Sequence, residues 1–384
     1  MRAALLDCAA MEATHIAWAK HHLQNAQASL ADSAIDTPDL GALGLPATVR
    51  FDPRTPMTPE ALAAEIAARW GAPGGRVLVT AGASEANAVA LGAVLAAGDE
   101  LLVEAPGYEP HRLAPTRFGA RVRPFRRDPG AAAGALAAAA AAAVTPATRA
   151  IVVTHLHNPS GVPLDPLDVA GLERLAEERD LVVIADETFR DADPAQPLAM
   201  LAARGPRWIT TASLTKAYGL GALKLGWVAA QPQLLARCAE VHDQLSAVPS
   251  LLSTALASAL MPHLDALRAR THAILAANRS AWDALCARRP VLQAAGTSRG
   301  TTVWVVPGGG PDGGDAFAAF AEQRHGVLMV PGRYFGDPSG VRVTLGAEPA
   351  AFARSLELLD RAASEWAARV EAGAAATGGA RENQ

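Results

Sequence analysis

Cysteine is scarce in this chain: Cys8, Cys238 and Cys286 stand far apart among 384 residues. They have neither the spacing of a metal site nor an even number to pair, so a disulfide framework is excluded and a reducing, cytoplasmic setting is expected. Basic excess is lacking too. The net charge is −4, the sequence pI is near 6.2, and no cationic run exceeds the short patch from Arg121 to Arg127. That balance argues against a nucleic-acid surface, and no basic helix-turn-helix segment points to a DNA-binding module. No apolar run approaches a membrane span, and the apolar patch at the N-terminus is broken by Asp7. What remains is a chain of 50% hydrophobic and 19% charged residues, long enough for one large α/β domain and a smaller one. Its expected partners are small molecules.

The stretch that concentrates chemistry is Ser213-Leu-Thr-Lys216-Ala-Tyr-Gly219-Leu-Gly221-Ala-Leu-Lys224-Leu-Gly226-Trp227. Trp208–Ala212 and Trp227–Ala230 flank it and read as short buried strands, which places Lys216 on their connection. Burial disfavours an ammonium ion and lowers its pKa, making such a lysine an amine able to condense with a carbonyl. Ser213 and Lys224 offer a hydroxyl and a cation that could meet one phosphate. The bland alternative is a surface lysine in a glycine-rich loop.

Four further apolar runs each end in a polar residue. Arg76–Thr80 leads into Gly82-Ala83-Ser84 and a helix of small residues through Ala97, which makes an anion site at a helix N-terminus or a plain Ser84 cap. A serine on a strand-to-helix turn also describes a hydrolase nucleophile elbow. Here Ala86 replaces its last glycine, Glu85 sits beside the serine, and His263, His272 and His325 have no evident acidic partner. Glu100–Glu104 ends at Pro106-Gly-Tyr108, which presents an aromatic face at the strand edge where ligands gather. Arg149–Thr154 leads to His157-Asn158-Pro159, where the proline holds Asn158 extended and His157 reads as a strand-end side chain. Leu181–Ala185 delivers Asp186, a carboxylate too costly at a buried strand end unless paired.

In company, these motifs resemble fold-type I pyridoxal-phosphate (PLP) enzymes, in the aminotransferase class I/II family, from about residue 30 to 365. The resemblance implies an α/β fold, with a mostly parallel large-domain sheet covered by helices on both faces and a smaller α+β domain. It gives Lys216 the covalent imine with the cofactor, and Asp186 the proton on the pyridine nitrogen. The phosphate falls to Gly82, Ala83, Ser84, Ser213 and Lys224, the ring face to Tyr108, and the phenolic oxygen to Asn158, beside Phe189. Arg342 is expected to grip the substrate carboxylate, with Asn158 and the segment Leu30-Ala-Asp-Ser33-Ala34 nearby.

The implied chemistry is that of an aminotransferase-like enzyme acting on an α-amino acid through an external aldimine and quinonoid, in a homodimer. The sequence departs from the pattern at four places: Phe189 stands where tyrosine is usual, Lys224 where arginine is usual and Ala34 where glycine is usual, and Phe51–Pro56 lacks a tyrosine. The first two resemble PLP-dependent arginine oxidases and hydroxylases. The alternative is therefore a non-transaminating enzyme of the same scaffold: an oxidase or hydroxylase, an elimination or replacement enzyme, or one that forms carbon–carbon bonds.

The expected organisation is an N-terminal arm with part of the small domain (1–48), a large cofactor-binding domain (49–248), a small C-terminal domain (249–370) and a disordered tail (371–384). A helix is expected from Met11 to Gln27 in the arm, with His15, His21 and His22 exposed on it. Others are expected over Pro59–Trp70, Ala131–Ala143, Leu167–Arg179, Leu251–Met261, His263–Arg289 and Asp315–His325.

Overall fold

Residues that alternate between two apolar faces need cover on both, and the central strands of this chain do so. The computed structural model describes residues 14–23, 26–43, 59–196 and 199–378. Cys8 and the Phe51–Pro56 segment lie outside these, as do parts of the expected Met11–Gln27 helix. The first elements are α1 (His15–His22), β1 (Ala28–Ser29), α2 (Glu60–Trp70), β2 (Leu78–Thr80), α3 (Ala83–Val94), β3 (Glu100–Ala105), α4 (Glu109–Leu113) and β4 (Arg121–Arg126). Next come α5 (Ala135–Ala143), β5 (Thr148–Thr154), α6 (Pro166–Arg179), β6 (Val182–Asp186), β7 (Trp208–Ser213), β8 (Gly226–Ala230) and α7 (Pro232–Leu245).

Seven strands form one sheet in the order β2-β8-β7-β6-β5-β3-β4. Only β8 runs against its neighbours; the other pairings are parallel. On β5, Ala150 and Val152 pack with Val89 and Leu91 of α3 and Cys238 of α7, while Ile151 and Val153 pack with Leu136 of α5 and Leu172 of α6. The period of two along one strand thus sends alternate residues into cores on opposite sides, which explains the helices on both faces.

The chain continues through α8 (Leu251–Leu260), α9 (Leu264–Arg288), β9 (Thr302–Val305), α10 (Gly313–His325), β10 (Val327–Leu328), β11 (Val330–Pro331), β12 (Val341–Thr344) and α11 (Pro349–Gly378). Strands β11, β12 and β9 form an antiparallel sheet, and β1 pairs with β10, tying the N-terminal arm to this smaller unit. Among the described residues no helix is long and apolar enough to cross a membrane. Cys238 and Cys286 are free and buried, and burial pushes each thiol up to about 12.

Several boundaries differ from expectation for local reasons. Helix α5 starts at Ala135 rather than Ala131, because Gly134 before it adopts φ +83° and breaks the helical path. Helix α3 stops at Val94, ahead of the turn at Gly98 with φ +91°. The tail expected to be disordered from Glu371 instead continues α11 to Gly378, an extension favoured by its alanines; residues 379–384 lie outside the described range.

Candidate active site

The parallel strands deliver their C-terminal ends to one edge, and Asp186, Ser213 and the turn carrying Asn158 all emerge there. Together with the start of α3 and the face of β12 they enclose a cavity of about 430 Å³. Lys216, Asp186, Asn158, Tyr108, Phe189, Gly82, Ala83, Ser84, Ser213, Lys224 and Arg342 all line it. Ala34 does not: Ala31, Asp32 and Ser33 line the cavity, while the Ala34 carbonyl packs against Gly346. The arm therefore meets the site one to three residues earlier than expected.

Lys216 follows β7 in a loop whose backbone is tied down, its carbonyl accepting from the Ile35 N–H at 3.0 Å. Burial lowers its pKa from the ordinary 10.5; the nearby Asp32 carboxylate, 4.0 Å from the amine, opposes this, and the Arg342 and Lys224 cations add to it. Asp186 is held from behind. Asn87 Nδ2 donates to its Oδ2 at 2.9 Å, the Thr188 N–H to Oδ1 at 3.0 Å, and His111 Nε2 stands 3.3 Å from Oδ2. Burial alone would raise this carboxyl, but the hydrogen bonds from His111, Thr188 and Asn87 prevail and hold it below its ordinary 3.8. It is a carboxylate at any working pH.

Tyr108 caps the start of α4, and burial beside Asp186 pushes its hydroxyl up to about 12, so it stays protonated. His157 is more than a strand-end side chain. Its Nε2 contacts the Pro106 carbonyl at 2.9 Å and its Nδ1 the Ser160 hydroxyl at 2.7 Å. A carbonyl can only accept, so Nε2 carries the proton, and the ring locks the Asn158 turn to the Tyr108 loop. Asn158 Oδ1 accepts from Arg342 Nη1 at 3.0 Å, leaving the asparagine's NH2 as a donor.

His15 lies at 8% exposure in the cavity wall, against Trp18, Tyr334 and Phe335, rather than on a solvated helix face. Burial, with the Arg342 and Lys216 cations, lowers its pKa to about 3. His21 is exposed, as expected, while His22 is half-buried and 2.8 Å from Glu322. The sequence reading missed Asn87, His111, Thr154 and Thr188. Only Asn87 had a signal, a polar residue on the inward face of an otherwise small and apolar helix.

The cofactor implied by the motifs can be tested against the cavity. Thr154 Oγ1, Thr188 Oγ1 and Arg342 Nε are buried there without hydrogen-bond partners, so polar groups await a ligand. Gly82 adopts φ +88° at the start of α3 and lies against Lys224, which brings helix N–H groups, the Ser84 and Ser213 hydroxyls and one cation to a common anion site. Across from it stand an ionised Asp186 and a depressed lysine. This donor set fits pyridoxal phosphate. Gly226 keeps the junction closed, since a Cβ there would fall 2.5 Å from the Gly82 carbonyl carbon and 2.8 Å from the Ala83 nitrogen. Gly226→Ala is expected to cost about 1–3 kcal/mol of stability and to weaken cofactor retention, read by thermal unfolding and by cofactor loss on dialysis.

Comparison with known proteins agrees. Residues 53–358 match the family described as aminotransferase class I and II. Capreomycidine synthase of Streptomyces vinaceus is 32% identical over 302 residues, which cover 74% of each chain. The PLP-dependent cyclase OrfR superposes with a TM-score of 0.76 at 27% identity, covering 90% of this chain and 95% of that one. A PLP-dependent aminotransferase from Streptococcus suis superposes at 0.80 and 21% identity, over 93% and 99% of the two chains. The chain therefore belongs to the class I and II aminotransferase family of fold-type I enzymes, whose cofactor is pyridoxal phosphate.

Proposed function

We propose that this enzyme takes a free α-amino acid by its carboxylate, removes the Cα proton with the Lys216 amine, and acts as an aminotransferase. The observation that carries the reading is Arg342. It is 2% exposed on β12, with Nη1 on Asn158 and Nη2 on the Ala31 carbonyl at 2.8 Å, over the Phe335 ring, and its Nε lacks a partner. Burial lowers it to about 10, which leaves it charged at neutral pH. A planar fork fixed at two corners in the same cavity as Lys216 and Asp186 suits one small carboxylate.

When bound, pyridoxal phosphate supplies an electron-accepting ring, which acidifies the substrate's Cα–H. The chain's own part is positional. Arg342 and Asn158 would orient the amino acid, Asp186 would hold a proton on the pyridine nitrogen, and the Lys216 amine would be the base. Its depressed pKa favours the neutral amine that this role needs. The homodimer implied by the family resemblance is part of this reading.

A second reading is a non-transaminating enzyme of the same scaffold. Phe189 favours it: it is buried in the cavity wall and brings no hydroxyl there, leaving Asn158 as donor to the phenolic oxygen. Single turnovers of the loaded enzyme with individual amino acids separate the two. Accumulation of the cofactor's amine form with one equivalent of keto acid is expected. Ammonia, oxygen uptake or a rearranged amino acid without that amine form would establish the second reading instead.

A further inference from the structure

We propose that the outer part of this cavity is a subsite for a cationic side chain, with Asp32 as the residue that selects it; the inference rests on the amino-acid reading above. Seven titratable side chains line the cavity besides Tyr108. Four have roles in that reading: Asp186 toward the pyridine nitrogen, Lys216 toward the aldehyde, Lys224 toward the phosphate and Arg342 toward the carboxylate. Asp32, His15 and Lys20 are left for the substrate's side chain.

Asp32 is fixed without being used up. Its Oδ1 accepts the Ala34 N–H at 3.0 Å, yet its side chain lines the cavity and stays 62% exposed. Lys216 stands 4.0 Å away but does not serve as a permanent partner, because it is committed to the cofactor and, when free, its lowered pKa reduces its charge. His15 is the second acceptor. It is nine-tenths buried, its Nδ1 has no hydrogen-bond partner, and burial, with the Arg342 and Lys216 cations, keeps the ring neutral, so it offers a lone pair and adds no charge of its own. Lys20 is exposed at the rim, where solvent screens it.

Part of the same lining is apolar. Ile16, Ala19 and Leu23 supply it from α1 and its C-cap, and Ile16 keeps 41% exposure. A methylene stem ending in a guanidinium or ammonium group suits that combination of surfaces, its stem against the apolar residues of α1 and its charge toward Asp32 and His15. An acidic side chain would meet the Asp32 carboxylate instead.

The test uses the cofactor-loaded enzyme and 2-hydroxy acids, which carry carboxylate and side chain but no reacting amine. Calorimetry is expected to show the hydroxy analogue of arginine binding at least about tenfold more tightly than that of leucine, with the analogue of glutamate weakest. Asp32→Asn is expected to bring the arginine-to-leucine ratio close to one, at unchanged thermal stability. The same ratio in kcat/KM should follow for L-arginine against L-leucine. Tighter binding of the glutamate analogue overturns the proposal, and so does an equal loss for both analogues in Asp32→Asn, which would mean that Asp32 acts through Lys216. Binding without side-chain preference removes the subsite and leaves the amino-acid reading intact. Failure of every analogue to bind, with no amino acid altering the cofactor spectrum, removes both.

Discussion

Lys216→Ala is expected to lower kcat by roughly 10,000-fold, because the proposed function makes one side chain both the covalent anchor and the base. The melting temperature should change little, since the side chain is 27% exposed and makes no close hydrogen bond, its nearest charge being Asp32 at 4.0 Å. Borohydride reduction of the wild type followed by peptide mapping should label position 216, and the variant should lose the label. A pH dependence follows from the direction of the shift. Only the neutral amine captures an aldehyde, so the rate of cofactor capture by the apoprotein rises with pH and levels off above the lysine's pKa. Burial puts that midpoint below the ordinary 10.5, and Asp32→Asn, by removing the opposing carboxylate, should move it lower still. A label on Lys224, or a midpoint above 10.5, would defeat the assignment.

What the sequence shows well is the row of strand ends. Asp186, Ser213 and Asn158 each follow an apolar run short enough to be only a buried strand, and parallel neighbours necessarily bring such ends to one edge. Arg342 is legible for a related reason: it alternates with Val341 and Val343, which are fully buried, so it belongs to the opposite face, here the cavity.

Residues that reach the site from helices are less legible. His111 belongs to the five-residue α4 and meets Asp186 only because β3 and β6 flank β5, an order no local pattern encodes. His15 looks solvent-facing, since its short helix mixes histidines, a lysine and alanines; its burial comes from Trp18 beside it and from Tyr334 and Phe335, some 320 residues away. Helix α7 had readable signals, a proline at its first turn and apolar Leu234, Leu235, Cys238 and Val241 at helical spacing, yet it was not identified. The Ala34 error is a matter of reach. β1 and the Leu30 N–H to Leu328 carbonyl bond at 2.8 Å set the arm so that Ala31, Asp32 and Ser33 line the cavity and Ala34 does not.

The other large effect belongs to Asp186. Asparagine has nearly the same shape and can still meet the Thr188 N–H, but it carries no charge to retain a proton on a pyridine nitrogen. Asp186→Asn is therefore expected to lower kcat about 1,000-fold while the cofactor stays bound through Lys216 and the anion site around Gly82, Ser84, Ser213 and Lys224. The groups behind the carboxylate sharpen the test. Asn87 Nδ2 donates to Asp186, and Thr211 in turn donates to Asn87 Oδ1. Asn87→Ala removes one of the donors holding the carboxyl below 3.8 and leaves those from His111 and Thr188, so its pKa should rise toward the ordinary value. The sign is fixed: a carboxylate works above its pKa, so wild-type activity should not fall on the acid side because of Asp186 until below the ordinary carboxyl value, while the Asn87→Ala profile should begin to fall at higher pH. Stopped-flow kinetics, carried on the acid side down to about pH 3, would read both variants. A kcat for Asp186→Asn within tenfold of wild type would place the pyridine nitrogen against some other group, and with it would fall the orientation of the ring assumed for Lys216, Asn158 and Arg342.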